Sequence, residues 1–208
     1  MYGIVDGPMT ESTPYNFTSH KGEIRAGIAN LLMAEIEKGI LEATIARSAD
    51  FYGPYGEKNS VPYLFVIGNL AHGKKAQWLA NPEKLHSLTY TGDCGKALYL
   101  LATTDDAQNQ IWHLPTASPP ITGVEFIRIA AEKLGKKAKY QVISGWMLKL
   151  AGIFNEAARE SIEMIYQYRN DYVFYSSKFE KRFGFTPTSY EKGIEETIAH
   201  FKSRGPIQ

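Results

Sequence analysis

Cysteine is almost absent from this chain: Cys94 is the one thiol in 208 residues. A lone thiol excludes an internal disulfide and fits a reducing cytoplasm better than a disulfide-stapled secreted scaffold. It stands in Gly92-Asp93-Cys94-Gly95, where a helix is expected to begin, and no base accompanies it. It therefore reads as a small half-buried residue, not a nucleophile. Long apolar runs are lacking too. None approaches the ~18 residues of a membrane span. The first residues are polar and rich in Gly and Pro, unlike a signal peptide, so the triplet Asn16-Phe17-Thr18 carries no glycosylation meaning. A charge excess is also missing, with 23 basic and 22 acidic residues and a net charge of +1. No basic field exists to hold nucleic acid or an anionic membrane, and pairs such as Lys74-Lys75 and Lys136-Lys137 read as solvated surface. The five histidines show no metal-ligand spacing, and no Gly-x-Ser-x-Gly nucleophile turn occurs.

What remains is the pattern of an α/β protein. Residues 19–38 read as a helix with two apolar stripes, Ile24/Ile28/Leu31/Leu32 and Ala26/Ala29/Met33/Ile36, which predicts burial on both sides. Ser19 is the expected N-cap and Gly39 the expected stop. Ala43 to Ala46 is a short apolar run without alternation, as in a strand covered on both faces. It leads through Arg47 into a loop thick with Tyr, Gly and Pro, placing Asp50, Phe51 and Tyr52 at a strand's carboxyl end, where parallel sheets bind ligands. Ser60 to His72 reads as helical, with Pro62 in the first turn. Residues 86–91 and 111–115 read as strands, and Asp93 as the cap of a helix running to about Ala102. Thr122 caps a further helix, Lys139 to Ser144 reads as a strand, residues 146–168 as helical, and Ser176 and Ser189 start two last helices. There is no internal repeat and no low-complexity linker. The strands are few for a parallel sheet, and the first helix has little to cover its second face. A preceding segment is therefore expected.

Four stretches, in order, carry a resemblance over residues 1 to about 202. They are Met1-Tyr2-Gly3 with Glu11 and Thr13-Pro14-Tyr15, Ser19-His20-Lys21-Gly22-Glu23-Ile24-Arg25-Ala26, Ala46-Arg47-Ser48-Ala49-Asp50-Phe51-Tyr52-Gly53-Pro54, and the Leu88 to Ala102 strand-Asp-helix element. Together they resemble the carboxyl-terminal part of an extended short-chain dehydrogenase/reductase of the NAD-dependent epimerase/dehydratase group. The resemblance implies an incomplete Rossmann-like, doubly wound parallel sheet plus a mainly helical substrate-binding region. Residues 1–115 would be the carboxyl-terminal part of the NAD(P)-binding domain with interleaved substrate-binding segments, and 116–208 mainly the substrate-binding region. That family opens with Gly-x-x-Gly-x-x-Gly, whose glycines let the backbone approach a pyrophosphate at a helix N-terminus. The motif does not occur in these residues, so truncation and little turnover by this chain alone are expected.

The family's reaction is hydride transfer at an oxygen-bearing carbon. A Tyr shuttles the proton and a Lys four residues later lowers its pKa and binds the nicotinamide ribose. Lys21 matches that Lys, but Phe17 stands at the Tyr position and can neither donate nor accept a proton. Tyr15 is the first candidate to replace the missing hydroxyl, ahead of Tyr2 and His20. It is six residues from Lys21, ~240° round a helix axis, and reaches in only if residues 14–18 are not helical. A rival register places Tyr15 at the Tyr position but puts Ser19 where Lys belongs. Ala49, Asp50 and Phe51 match the loop that touches nicotinamide. Asp50 replaces the commoner Asn, leaving a substrate hydroxyl or a loop cap as its role. Arg47 would meet a phosphate or, by preference, an acidic neighbour. Tyr55, Asn59, Trp78, His86 and Tyr90 are candidate pocket residues, each also readable as packing. The tyrosines at 166, 168, 172 and 175 read as a wall between surface and core. The implied function is an NAD(P)-dependent oxidoreductase acting on a nucleotide sugar or similar carbonyl or hydroxyl substrate, with NAD or NADP as cofactor. The chain would be cytoplasmic and a homodimer through the 19–38 helix. The alternatives are a non-catalytic dinucleotide sensor, which Phe17 favours, and a dimerisation fragment.

Overall fold

Helix α1 (His20–Glu37) starts where Ser19 leaves extended backbone, its hydroxyl accepting from the Gly22 N–H at 3.1 Å. It ends at Gly39, in the left-handed region at φ +70. The computed structural model describes residues 1–56, 59–153 and 156–204. Of α1, Gly22, Ala26 and Ala29 are buried, whereas Ile24, Ile28 and Leu31 are 48%, 54% and 63% exposed. The expectation of two buried faces is corrected: the small-residue stripe packs, and the Ile/Leu stripe is open because no described residue covers it.

The chain then forms three short parallel strand pairs. Strand β1 (Ile45–Arg47) pairs with β6 (Ile111–His113), and β2 (Asp50–Tyr52) with β5 (Leu88–Tyr90). Strand β3 (Ala76–Leu79) pairs with β8 (Tyr140–Ile143), and a small antiparallel pair joins β4 (Leu85–His86) to β7 (Ile121–Thr122). This is the expected α/β class, with parallel pairing between strands far apart in sequence. One continuous segment, residues 45–52, thus changes partner midway. The switch falls at Ser48-Ala49, where the Thr89 hydroxyl accepts from the Ala49 N–H at 3.1 Å. The next turn requires glycine. Gly53 has φ +135, and a Cβ there would lie 2.0 Å from Thr91 Oγ1.

A wide π-helical turn (Pro62–Gly68) runs into α2 (Asn69–Ala71) where one helix is expected over 60–72. Helix α3 (Thr91–Ala102) follows β5 directly. Asp93 does not cap it. It lies buried inside the first turn, and its carboxylate accepts from the Thr188 N–H at 2.7 Å and the Thr188 hydroxyl at 2.9 Å, tying α3 to the segment before α9. Helix α4 (Gly123–Leu134) is capped by Thr122 as the sequence predicts, its hydroxyl accepting from the Glu125 N–H at 3.2 Å. The helical span expected over 146–168 is α5 (Gly145–Ala151), α6 (Glu156–Met164) and α7 (Tyr166–Arg169), with residues 154 and 155 outside the described residues. Helices α8 (Ser177–Phe183) and α9 (Tyr190–Arg204) are the last among the described residues. No described helix is long and apolar enough to cross a membrane.

The largest core centres on Trp78, Tyr52, Phe126, Leu88 and Ile194, between β2, β3, β5 and helices α4 and α9. A second, around Trp112, Phe179 and Leu101, packs α3 and α8 on β6. A third is small, with Tyr2, Met9, Ala49 and Phe174, and it forms the floor of the site described next.

Candidate functional site

The β1–β2 crossover opens onto a cleft of about 690 Å³, within the usual size of a small-molecule site. Strand ends and α1 bring Lys21, Arg25, Arg47, Ala49, Asp50 and Phe51 to its walls. The far wall comes from α6 and α7 and the segment after them, with Met164, Tyr166, Tyr168 and Tyr172.

Asp50 is the most elaborately held of these. Its Oδ2 accepts from His86 Nε2 at 3.0 Å and from the Tyr168 hydroxyl at 3.0 Å. His86 is buried and sandwiched by aromatic rings, with Tyr168 at 4.3 Å and Tyr172 at 5.0 Å between centroids. Two donors on one carboxylate oxygen favour the ionised form. Burial pushes the Asp50 carboxyl up, but the bonds from His86 and Tyr168 and the field of Arg25 outweigh it, and the group is held below the ordinary carboxylate range. Burial and the adjacent carboxylate push the Tyr168 hydroxyl well up, so it stays a neutral donor.

A second polar cluster lies on the floor. The Tyr2 hydroxyl is 2.6 Å from His113 Nε2 and accepts from Arg47 Nη1 at 2.7 Å. His113 Nδ1 is 2.7 Å from the Tyr175 carbonyl oxygen. A carbonyl can only accept, so Nδ1 carries the proton, Nε2 offers a lone pair, and the Tyr2 O–H donates to it. Burial lowers the His113 pKa to about 4, which keeps this tautomer neutral at physiological pH. Arg47 is buried, and its second Nη donates to the Tyr15 hydroxyl in a very short contact. Its guanidinium lies over both rings, 5.5 Å from the Tyr2 centroid and 5.1 Å from that of Tyr15. The expected acidic partner is replaced by two tyrosines, since no carboxylate lies within ion-pairing distance of Arg47 among the described residues.

Of the residues singled out from the sequence, the cleft gathers Lys21, Ala49, Asp50, Phe51 and Asn59. His86 stands behind Asp50, out of reach of solvent. Four candidates are corrected. Tyr15 is not on the lining, because its hydroxyl is drawn onto Arg47. Trp78 is 1% exposed within β3, packed edge-on to His86 and against Phe126 and Tyr168, and serves the core. Tyr90 faces the same core from β5, with its hydroxyl on the Glu196 carboxylate. Tyr55 is 80% exposed at φ +65 and stacks on His200, away from the cleft. Phe17, at the position expected for the proton-shuttling Tyr, is exposed and not on the lining. The tyrosine wall of 166, 168 and 172 supplies more of the site than its spacing suggests, and Arg25 was not singled out at all. Its place one turn after Lys21 on α1 is the signal that marks it. No group of His, Cys, Asp and Glu suited to a metal ion occurs among the described residues.

The cleft has room for half of a dinucleotide, and Lys21, Ala49, Asp50 and Phe51 lie on its lining. The Tyr2 and Tyr168 hydroxyls hold protons on this lining, and Asp50 offers an ionised acceptor beside them.

No family model and no curated protein matches the sequence. Solved structures do. The dTDP-glucose 4,6-dehydratase of Bacillus anthracis, in complex with NAD, is 20% identical with a TM-score of 0.75, over 97% of this chain and 58% of that one. The UDP-glucose 4-epimerase of Thermotoga maritima, with UDP-glucose, is 18% identical with a TM-score of 0.74, over 98% and 60%. The UDP-glucuronic acid 4-epimerase of Bacillus cereus, with UDP-glucuronic acid and NAD, is 16% identical with a TM-score of 0.76, over 98% and 59%. At these identities the likeness shows the fold alone, a Rossmann-like α/β arrangement. The chain spans less than two thirds of the length of each of these proteins.

Proposed function

We propose that this chain is the substrate-side portion of an NAD(P)-dependent epimerase/dehydratase-like oxidoreductase that acts on a nucleotide sugar or a similar hydroxyl or carbonyl substrate. The observation that carries the reading is the convergence of Lys21, Ala49, Asp50 and Phe51 on one cleft, from segments far apart in sequence. Lys21 contacts the nicotinamide ribose, and Ala49 to Phe51 face the ring. The diphosphate grip belongs to a segment outside these residues, because no Gly-x-x-Gly-x-x-Gly occurs in them. Turnover by this chain alone is accordingly negligible. The open Ile24/Ile28/Leu31 stripe of α1 suits pairing with a second copy.

Saturation-transfer NMR on the 208-residue chain tests the cofactor assignment. Nicotinamide mononucleotide gives a saturation-transfer signal that Lys21→Met weakens, and adenosine monophosphate gives none. Equal or stronger binding of the adenosine nucleotide, or no binding of nicotinamide mononucleotide, overturns the reading.

One observation favours a second reading, a dinucleotide sensor without turnover. Phe17 supplies no hydroxyl, and the Tyr15 hydroxyl is engaged by Arg47. Cofactor binding without turnover over a broad panel of carbonyl compounds, in a protein carrying the phosphate-gripping segment, distinguishes the sensor from the enzyme.

A further inference from the structure

Asp50 does more than close a hydrogen-bond network. Both of its donors, His86 Nε2 and the Tyr168 hydroxyl, converge on Oδ2. No hydrogen bond to Oδ1 is found among the described residues, and the side chain keeps 36% of its surface open. An ionised carboxylate oxygen accepts and never donates. Here it is also rigidly aimed. Asp50 is fixed in β2 by pairing with Leu88, and its two donors are locked by ring stacking. The rest of the polar lining mixes neutral side chains, among them Tyr2, Ser48, Asn59 and Gln167, with three cationic ones, Lys21, Arg25 and Arg47. The charged part of the lining is therefore bipolar, one anionic side chain with three cationic ones.

We infer that Asp50 sets the orientation and selectivity of the ligand: a hydroxyl-bearing, uncharged sugar ring lies over Oδ1, and any phosphate or carboxylate of the ligand is kept to the Lys21/Arg25/Arg47 side. The inference rests on the proposed reading of the cleft as a sugar site, and it adds which part of the ligand faces which wall. A like charge within about 4 Å of a partly exposed carboxylate weakens binding by roughly tenfold or more, whereas a hydroxyl gains a charge-assisted bond.

Saturation-transfer NMR with three small probes tests this on the unmodified chain: methyl glucoside, glucosamine and methyl glucuronide. The expected order is glucosamine at least equal to the glucoside, with the glucuronide roughly tenfold weaker or undetectable. In Asp50→Asn, a near-isosteric change that keeps an acceptor for His86, the gap between glucoside and glucuronide narrows to within about threefold. A residue that only braces His86 and Tyr168 would leave the ratio of the two probes unchanged. Equal binding of glucoside and glucuronide by the unmodified chain, no binding of any probe, or an unchanged ratio in the Asn variant overturns the inference. None of these outcomes touches the nicotinamide mononucleotide result, so the two readings fail separately.

Discussion

Tyr168→Phe is the most economical probe of the site, because it deletes one oxygen and leaves the ring. That ring keeps its stacking on His86 at 4.3 Å and its place in the core, where it is 3% exposed. What is lost is the 3.0 Å bond to Asp50 Oδ2. A hydrogen bond to a charged group contributes roughly 1.5–3 kcal/mol. Asp50 has 36% of its side chain open, so solvent screens part of that, and the expected loss is about 1 kcal/mol. With a urea slope of ~2 kcal/mol/M, the midpoint falls by about 0.5 M. The pH dependence gives the sharper criterion. The Asp50 carboxyl is held below its ordinary range in the folded protein. The stability this supplies is fully present above the unfolded value of ~3.9 and is lost as pH falls through the folded value. Removing the Tyr168 donor moves the folded value back up. The variant therefore trails the parent near neutrality and converges on it as the carboxyl protonates. Urea melts followed by far-UV circular dichroism from pH 7 down the acid limb measure both. A penalty below about 0.3 kcal/mol at pH 7, or one that persists unchanged once Asp50 is protonated, refutes the assignment.

Two further outcomes follow from packing and burial elsewhere. Gly123→Ala places a Cβ 2.4 to 2.6 Å from the Trp78 ring, and Trp78 is buried with no room to retreat, so overpacking costs roughly 1–3 kcal/mol. Urea melts and the near-UV dichroism of the tryptophans report it, and a variant as stable as the parent would show that β3 and α4 are looser than described. Burial, reinforced by Asp93, raises the Cys94 thiol to about 11. Iodoacetamide at pH 8 therefore alkylates the native chain at least about tenfold more slowly than the urea-unfolded chain; equal rates would contradict the burial.

The elements with strong local signals were readable. Ser19 and Thr122 each stand where a helix begins, because a side-chain oxygen at an N-cap acts locally and needs no tertiary partner; Ser176 also precedes a helix, but its hydroxyl accepts from the Thr116 N–H and donates to Glu180 instead of capping it. Asp93 shows the limit of that logic. An acidic residue in a first turn has the composition of a cap, but its carboxylate is claimed by Thr188, 95 residues away. The change of partner between β1 and β2 was equally invisible, since residues 45–52 read as a strand and a loop and only the positions of β5 and β6 divide them. The open stripe of α1 follows the same rule: periodicity marks which residues are apolar, and only the assembled surroundings say whether they are covered.

For the site, the residues that local pattern identified were those fixed to short backbone motifs, Lys21 on the first turn of α1 and Ala49 to Phe51 at the crossover. Free-standing aromatics were not legible in the same way. Trp78, Tyr90 and Tyr168 have similar side chains and similar prospects from sequence, yet the first two fill the core and the third completes the cleft. The difference lies in which strand or helix carries the ring and what stands opposite it. The same holds for charge. Asp50 meets His86 across 36 residues and Tyr168 across 118, and it is this pair of donors, both on one oxygen, that leaves the other oxygen open. An Asn in place of Asp50 would present an uncharged carbonyl or an amide donor to the cleft and would turn away neither sign. The replacement expected only to cap a loop or hold a hydroxyl thus changes the sign of one wall, a consequence that exists only once three segments of the chain are brought together.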